Sequence, residues 1–229
     1  MDATGRHLGG ISTPEMAIRM FALLHGIATV IATCPALSTL GDLNLTEFTS
    51  KTWYIQEMQV TKYLERNTFY CTAATYNFEG KKVPFFDGKV VSVYNYANLD
   101  KINGPNENAN NMTLCARAVN ETDASRLAVA PCFLPNKFAG DYWVIDHADD
   151  YSWSIVIGGQ PTEQYADGCT TKETGVNNAG LWLFSRSPVA SKSSIQLMRD
   201  RLEKMGIARS RLFPVQQDGC VYKDAVIKR

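Results

Sequence analysis

The stretch Leu181–Pro188, which reads Leu-Trp-Leu-Phe-Ser-Arg-Ser-Pro, places Trp182, Phe184 and Arg186 two residues apart. Every second side chain of a β-strand points the same way, so this spacing predicts a strand with an aromatic face that ends in a cation. A buried guanidinium is costly unless its charge is stabilised. We expect Arg186 to stack on Trp53, because an indole ring attracts a cation to its face. That contact would bring the first and last strands together at one end of a closed sheet.

The segments upstream of this stretch are also strand-like, with many aromatic and β-branched residues and mostly short turns between them. Together with residues 181–188 they predict eight strands, the others being 53–59, 68–78, 89–97, 112–119, 125–133, 142–148 and 152–158. Eight short strands in this order are typical of an up-and-down barrel or a sandwich.

A helix is predicted after Pro188, where the hydrophobic period changes from two to that of a helix. The apolar positions at helical spacing are Ile195, Leu197, Met198, Leu202 and Met205, and Gly206 stands where a helix ends. A single helical turn, with Thr46 as its cap, is expected just before the first strand. Residues 211–220 could add a short edge strand.

The composition favours one sizeable domain, because 229 residues with zero formal net charge are enough for a full core. Balanced charge argues against nucleic acid as a partner. The densest basic cluster comprises Arg199, Arg201, Lys204 and Arg209, and we interpret it as the solvent face of the helix. No Cys-x-x-Cys occurs and the three histidines are isolated, so neither a metal site nor a cofactor is expected.

The N-terminal region resembles an export signal. Residues 16–32 have a short basic start, an apolar run and small residues before a cleavage site expected after Ala32. The run is shorter than the ~20 residues of a spanning helix, so no transmembrane segment is predicted. Residues 1–15 are an unusual polar leader, so either Met16 is the true start or the targeting sequence is more complex. We therefore divide the chain into a leader and signal peptide, 1–32, and one domain, 33–229.

Cysteines and glycosylation acceptors agree with export. All six cysteines follow Ala32 and could form three bridges in an oxidising compartment. The triplets that begin at Asn44, Asn111 and Asn120 are acceptor sites for N-linked glycans. These features predict a secreted glycoprotein.

Three motifs in order resemble the lipocalin family. Lys51-Thr-Trp53-Tyr54 is similar to its first motif, Asp149-Asp-Tyr-Ser-Trp153 to its second and Leu181–Pro188 to its third. The resemblance spans residues 34 to 220, and the C-terminal part is similar to the apolipoprotein D and bacterial lipocalin branch. It departs from the family pattern at Lys51, where the family has a glycine, which indicates a rearranged entrance to the first strand.

The resemblance implies an all-β fold: an eight-stranded antiparallel up-and-down calycin barrel with one C-terminal α-helix packed outside. It also implies the disulfide pairs Cys34–Cys169 and Cys71–Cys220, which leaves Cys115 with Cys132. In this family Trp53 and Arg186 would close the barrel structurally rather than bind ligand.

A closed barrel of eight strands has room for one small ligand, and alternation decides which side chains line it. If Trp182 points inward, Phe184 does too; if Cys71 points outward, its neighbours on alternate positions point inward. We expect ligand binding by an apolar, aromatic lining with a few hydroxyls, drawn from Trp182, Phe184, Tyr70, Thr72, Ala74, Tyr76, Trp143 and Trp153. The long loops 98–111 and 159–179 are candidates for specificity at the mouth.

The leading hypothesis is a secreted lipocalin, a monomer or weak dimer, that transports a small hydrophobic ligand such as a fatty acid, sterol, pigment or isoprenoid. The alternative is a lipocalin-fold enzyme similar to violaxanthin de-epoxidase, for which Glu57, Glu79 and Asp146 are candidate acids. A cysteine nucleophile would require a free thiol. A third possibility is a module that binds protein through the barrel exterior, and a plastid or other lumen is an alternative destination.

Overall fold

A computed structural model of the protein describes residues 33–229, apart from 79, 80, 109, 111 and 121. The predicted leader and signal peptide, the acceptor Asn111 and the candidate acid Glu79 therefore lie outside the described residues. No helix in the described part of the chain is long and apolar enough to cross a membrane.

Eight antiparallel strands close into a barrel, which confirms the predicted fold class. Seven of them are β1 (Trp53–Gln59), β2 (Tyr70–Asn77), β3 (Val90–Asn98), β4 (Thr113–Ala118), β5 (Arg126–Pro131), β6 (Gly140–His147) and β7 (Trp153–Ile157). A two-stranded hairpin follows, formed by β8 (Glu163–Tyr165) and β9 (Gly168–Thr170), and β10 (Leu181–Ser185) is the eighth barrel strand. The short β11 (Leu212–Pro214) pairs with β1.

The barrel closes where β1 pairs with β10, so the first and last barrel strands meet as the sequence predicts. Tyr54 lies opposite Ser185 and Ile55 opposite Phe184. The register then shifts between Ile55 and Glu57, which is a β-bulge that turns the end of β1.

Two α-helices flank the barrel strands. The single turn α1 (Leu45–Phe48) is capped by Asn44, whose Oδ1 accepts a hydrogen bond from the Glu47 amide at 3.1 Å. The expected cap Thr46 was wrong, because the cap lies two residues earlier, at Asn44, and Thr46 lies inside the helix.

Helix α2 (Lys192–Lys204) begins at the cap Ser191 and packs outside the barrel. Met198 and Leu202 are fully buried against Ile155 and Leu183. Leu197, predicted as part of the apolar face, is 43 % exposed.

Ion pairs also attach α2 to the barrel. Arg199 Nε lies 3.1 Å from Glu57 Oε2 on β1, and Arg201 Nε lies 3.7 Å from Asp146 Oδ2 on β6. Our interpretation of the basic cluster as only a solvent face was therefore wrong for these two residues, because barrel carboxylates lie beneath them.

Three disulfides join Cys34 to Cys169, Cys71 to Cys220 and Cys115 to Cys132. These are the pairs that the resemblance implies. All six cysteines of the chain are thus bonded and none is free.

The C-terminal tail lies along the outside of β1 and β2, an arrangement that the sequence analysis did not predict. The Tyr222 ring lies 5.1 Å from that of Tyr54, centroid to centroid. The Lys228 amide donates to Thr52 Oγ1 at 2.7 Å, and its ammonium donates to the carbonyl oxygens of Thr49 and Tyr76. The Cys71–Cys220 disulfide anchors the start of this tail.

Candidate ligand-binding cavity

An aromatic cluster closes one end of the barrel, and we call it the floor. It consists of Phe48, Trp53, Tyr76 and Phe184. The ring centroid of Trp53 lies 5.4 Å from that of Phe48 and 5.9 Å from that of Phe184, and Phe48 lies 5.7 Å from Tyr76. The Trp53 indole also donates to the Phe48 carbonyl oxygen at 2.9 Å. Phe48 and Trp53 are fully buried, so packed rings close this end of the barrel.

Arg186 covers the outer side of the floor. Its guanidinium carbon lies 3.6 Å from the centroid of the Trp53 ring, the stacking that the sequence predicts. Nη2 donates to the carbonyl oxygens of Glu47 and Phe48 at 2.9 Å each, and Nη1 donates to that of Lys51. Burial lowers the pKa of Arg186 to about 10, so the group remains charged at neutral pH.

The entrance to β1 at Lys51 needs no glycine. Lys51 is not among the described residues with positive φ, so its backbone lies in a region open to any side chain. The Lys51 carbonyl oxygen instead serves as an acceptor for Arg186.

Above the floor lies a cavity of about 720 Å³. Its walls are largely apolar, with Ile55, Val93, Leu114 and Val129 contributed by four different strands. A cavity of this size and character is typical of a site for a small hydrophobic molecule.

Five of the eight predicted lining residues do line this cavity: Trp182, Phe184, Thr72, Ala74 and Tyr76. Trp182 is partly exposed and stacks on Tyr142, with the ring centroids 6.1 Å apart. Whether these residues contact a ligand remains a prediction.

Tyr70 does not line the cavity, although alternation from Cys71 predicts it. The register of β2 against β3 shifts between Tyr70 and Ala73, and Cys71 has a left-handed φ of 54°. This β-bulge adds one residue and reverses the alternation. Tyr70 consequently pairs with Asn98, and Cys71 packs outside with Tyr96.

Trp143 and Trp153 are not cavity residues either. Trp153 is buried and Trp143 partly buried in the apolar cluster between the barrel and α2. The Arg126 guanidinium lies over the Trp143 ring, 4.5 Å from its centroid. The prediction for these two tryptophans was therefore wrong, because an exterior helix provides an apolar environment on the other side of the sheet.

Tyr142 is one of the lining residues that sequence reasoning missed. Its hydroxyl lies 2.6 Å from that of Tyr76, so the two form a hydrogen-bonded pair above the floor. Burial raises the pKa of both tyrosines, and for Tyr142 the neighbouring Tyr76 raises it further. Both hydroxyls therefore stay protonated at neutral pH. Tyr142 and Trp143 are adjacent in β6, so their side chains point to opposite faces. Placing Trp143 outside the barrel would therefore have predicted that Tyr142 points inward.

The open end, which we call the mouth, is formed by the connections 60–69, 99–112, 132–139 and 158–180, and each of them lines the cavity. Both long loops singled out in the sequence thus lie at the same end of the barrel. The mouth carries exposed apolar side chains such as Phe138 and Val176, several asparagines, and the carboxylates of Glu107 and Asp141.

Two of the three acids proposed for an enzyme, Glu57 and Asp146, do not face the cavity, and the third, Glu79, lies outside the described residues. Glu57 pairs with Leu183, Asp146 with Ile155, and these partners pack outside under α2. Burial raises the pKa of Glu57 and the nearby Arg199 opposes that shift. Both carboxylates are occupied by ion pairs with the helix.

No family model and no curated protein matches this sequence. Solved structures do match. Lobster apocrustacyanin A1 is 13 % identical, with 86 % of this chain and 96 % of that chain covered and a TM-score of 0.54. Apocrustacyanin C2 is 15 % identical over 78 % and 83 % of the two chains, with a TM-score of 0.51. Insecticyanin from the tobacco hornworm Manduca sexta is 16 % identical over 81 % and 86 %, with a TM-score of 0.50. These structures are lipocalins with an eight-stranded barrel, and at such identities the likeness shows the fold alone.

Proposed function

We propose that this chain is a secreted lipocalin that binds one small hydrophobic ligand inside its barrel and transports it. The observation that carries this proposal is the 720 Å³ cavity, closed by the aromatic floor and open at the mouth. Burial of an apolar molecule against such walls is favourable in proportion to the area removed from water. The placement in the apolipoprotein D and bacterial lipocalin branch is a further part of the proposal, supported by the residue motifs and the two long-range disulfides.

An enzymatic role has no comparable support. The candidate acids Glu57 and Asp146 lie outside the barrel, and all six cysteines are bonded, so a thiol nucleophile is excluded in this structure. Transport by reversible binding needs only the cavity.

Binding is tested with a neutral fluorophore, N-phenyl-1-naphthylamine, whose emission rises in apolar surroundings. We expect saturable binding at one site, displaced by hydrophobic competitors. Trp182→Ala should weaken it about 10-fold, because the lost ring forms part of the wall. The matched variant Trp143→Ala removes a tryptophan outside the barrel and should change the affinity by less than about two-fold. Equal effects of the two variants, or no saturable binding, would contradict the proposal.

Secretion and glycosylation form the other part of the proposal. Asn44 and Asn120 are exposed acceptors near the closed end of the barrel, away from the mouth. In a secreting eukaryotic host we expect Asn44→Asp and Asn120→Asp each to lose the mass of one glycan. Aspartate retains the side-chain acceptor that caps α1 at residue 44, so folding should be preserved. A wild-type mass that is unchanged by enzymatic glycan removal would refute this part.

A further inference from the structure

The hydroxyls of Tyr76 and Tyr142, at the bottom of the cavity, have one unused hydrogen-bond donor between them. Each tyrosine hydroxyl has one donor and two acceptor positions. The contact between Tyr76 Oη and Tyr142 Oη uses one donor, and neither hydroxyl has another hydrogen-bond partner among the described residues. One O–H donor therefore remains free in the wall of the cavity. A buried donor without an acceptor is unfavourable, so the pair is suited to a ligand oxygen.

The charged side chains that line the cavity are of one sign. Glu107 and Asp141 line it at the mouth, and no lysine, arginine or histidine is found among its described lining residues. Arg186 lies behind Trp53, and its guanidinium donates to main-chain carbonyl oxygens there. Burial raises the pKa of the Tyr76 hydroxyl, and the Arg186 charge opposes that rise without outweighing it. The mouth connections also carry lysines, such as Lys137 beside Phe138, but a carboxylate inside the cavity would lose water without gaining a cation from the lining.

Asn95 provides a neutral polar group higher in the wall. It belongs to β3, lines the cavity and is exposed, whereas its neighbours Tyr94 and Tyr96 are buried and pack against Cys71. Its side-chain amide makes no hydrogen bond within the described chain. Amide and hydroxyl groups can hydrogen-bond to an uncharged ligand oxygen, and no charged group has to lose its water.

We propose that the cavity selects uncharged amphiphiles, with a hydroxyl or carbonyl oxygen bound by the Tyr76–Tyr142 pair, and disfavours carboxylate anions of the same shape. This inference rests on the proposed function and narrows its range of ligands. The cavity should favour isoprenoid or sterol alcohols and ketones over ionised fatty acids.

Three probes of one carbon skeleton test the inference: farnesol, farnesoic acid and farnesene, each competing with N-phenyl-1-naphthylamine. At pH 7.5 we expect farnesol to bind at least about 10-fold more tightly than farnesoic acid. The difference should shrink at pH 4, where a larger fraction of farnesoic acid is protonated and uncharged, since free carboxyl groups titrate near pH ~4. Glu107→Gln with Asp141→Asn should tighten the binding of farnesoic acid relative to that of farnesol at pH 7.5.

The double variant Tyr76→Phe with Tyr142→Phe tests the pair directly. Both positions are changed because either hydroxyl alone can supply the free donor. We expect farnesol affinity to fall about 10-fold while farnesene, which has no oxygen, binds as before and thereby reports an intact cavity.

Two results would overturn the inference while leaving hydrophobic transport intact: farnesoic acid binding as tightly as farnesol at pH 7.5, or equal losses for farnesol and farnesene in the double variant. Failure of all three probes and of the fluorophore to bind the wild-type protein would overturn the proposed function and this inference together.

Discussion

Replacing Arg186 by alanine is expected to lower the free energy of unfolding by about 4 kcal/mol, because charge-assisted hydrogen bonds and a cation–π contact are lost together. The carbonyl oxygens of Glu47, Phe48 and Lys51 would lose their guanidinium donor, and the Trp53 ring would lose its cover. For a domain of this size the loss corresponds to a fall in Tm of roughly 10 °C. Denaturant titration monitored by tryptophan fluorescence measures this change in the free energy of unfolding.

Two variants make this test specific. Arg186→Lys keeps the charge but not the planar fork, so it should recover only part of the stability. Arg199→Ala removes the ion-pair partner of the partly buried Glu57, and its loss should cost about 1 to 2 kcal/mol. A loss for Arg186→Ala no larger than that for Arg199→Ala would show that Arg186 does not hold the closed end together.

Filling the cavity is expected to abolish ligand binding without unfolding the barrel. Asn95 lines the cavity and is exposed, so Asn95→Trp would place an indole in the space proposed for the ligand. We expect the affinity for N-phenyl-1-naphthylamine to fall about 100-fold, which corresponds to ~2.7 kcal/mol. Tryptophan is favoured in strands, so the unfolding free energy should change by less than about 1 kcal/mol.

The matched control is Lys82→Trp, which adds the same side chain at an exposed position in the β2–β3 connection, away from the cavity. Its affinity for the fluorophore should equal that of the wild type. If Asn95→Trp also binds like the wild type, the ligand site lies elsewhere.

The barrel and its closure could be predicted because their signals are local and strong. Period-two alternation from Leu181 to Ser185 defines β10, and a cation at the end of an aromatic face requires a partner such as Trp53. Helix α2 follows from a change of period, and its start and end lie near the predicted residues. The docking of its cations on Glu57 and Asp146 depends on tertiary placement, which the sequence does not contain.

The candidate site was only partly predictable, because the inward face of a strand is defined relative to one reference residue. For Trp182 and Phe184 that reference was correct. On β2 the bulge at Cys71 reversed the alternation, so Tyr70 does not line the cavity. No residue pattern in this strand predicts such a bulge. On β6 the apolar environment of α2 outside the barrel makes both faces of the strand apolar, so Trp143 could not be distinguished from the inward Tyr142.

The central claim, that the barrel carries a hydrophobic molecule, is tested most directly by mass spectrometry of the small molecules that co-purify with the native protein. The wild type and Asn95→Trp, produced and purified in parallel, provide the comparison. We expect the wild type to carry a hydrophobic compound, neutral in character and near equimolar with protein, and the variant to carry little or none. The same compounds in equal amounts on both proteins, or none on either, would contradict the account.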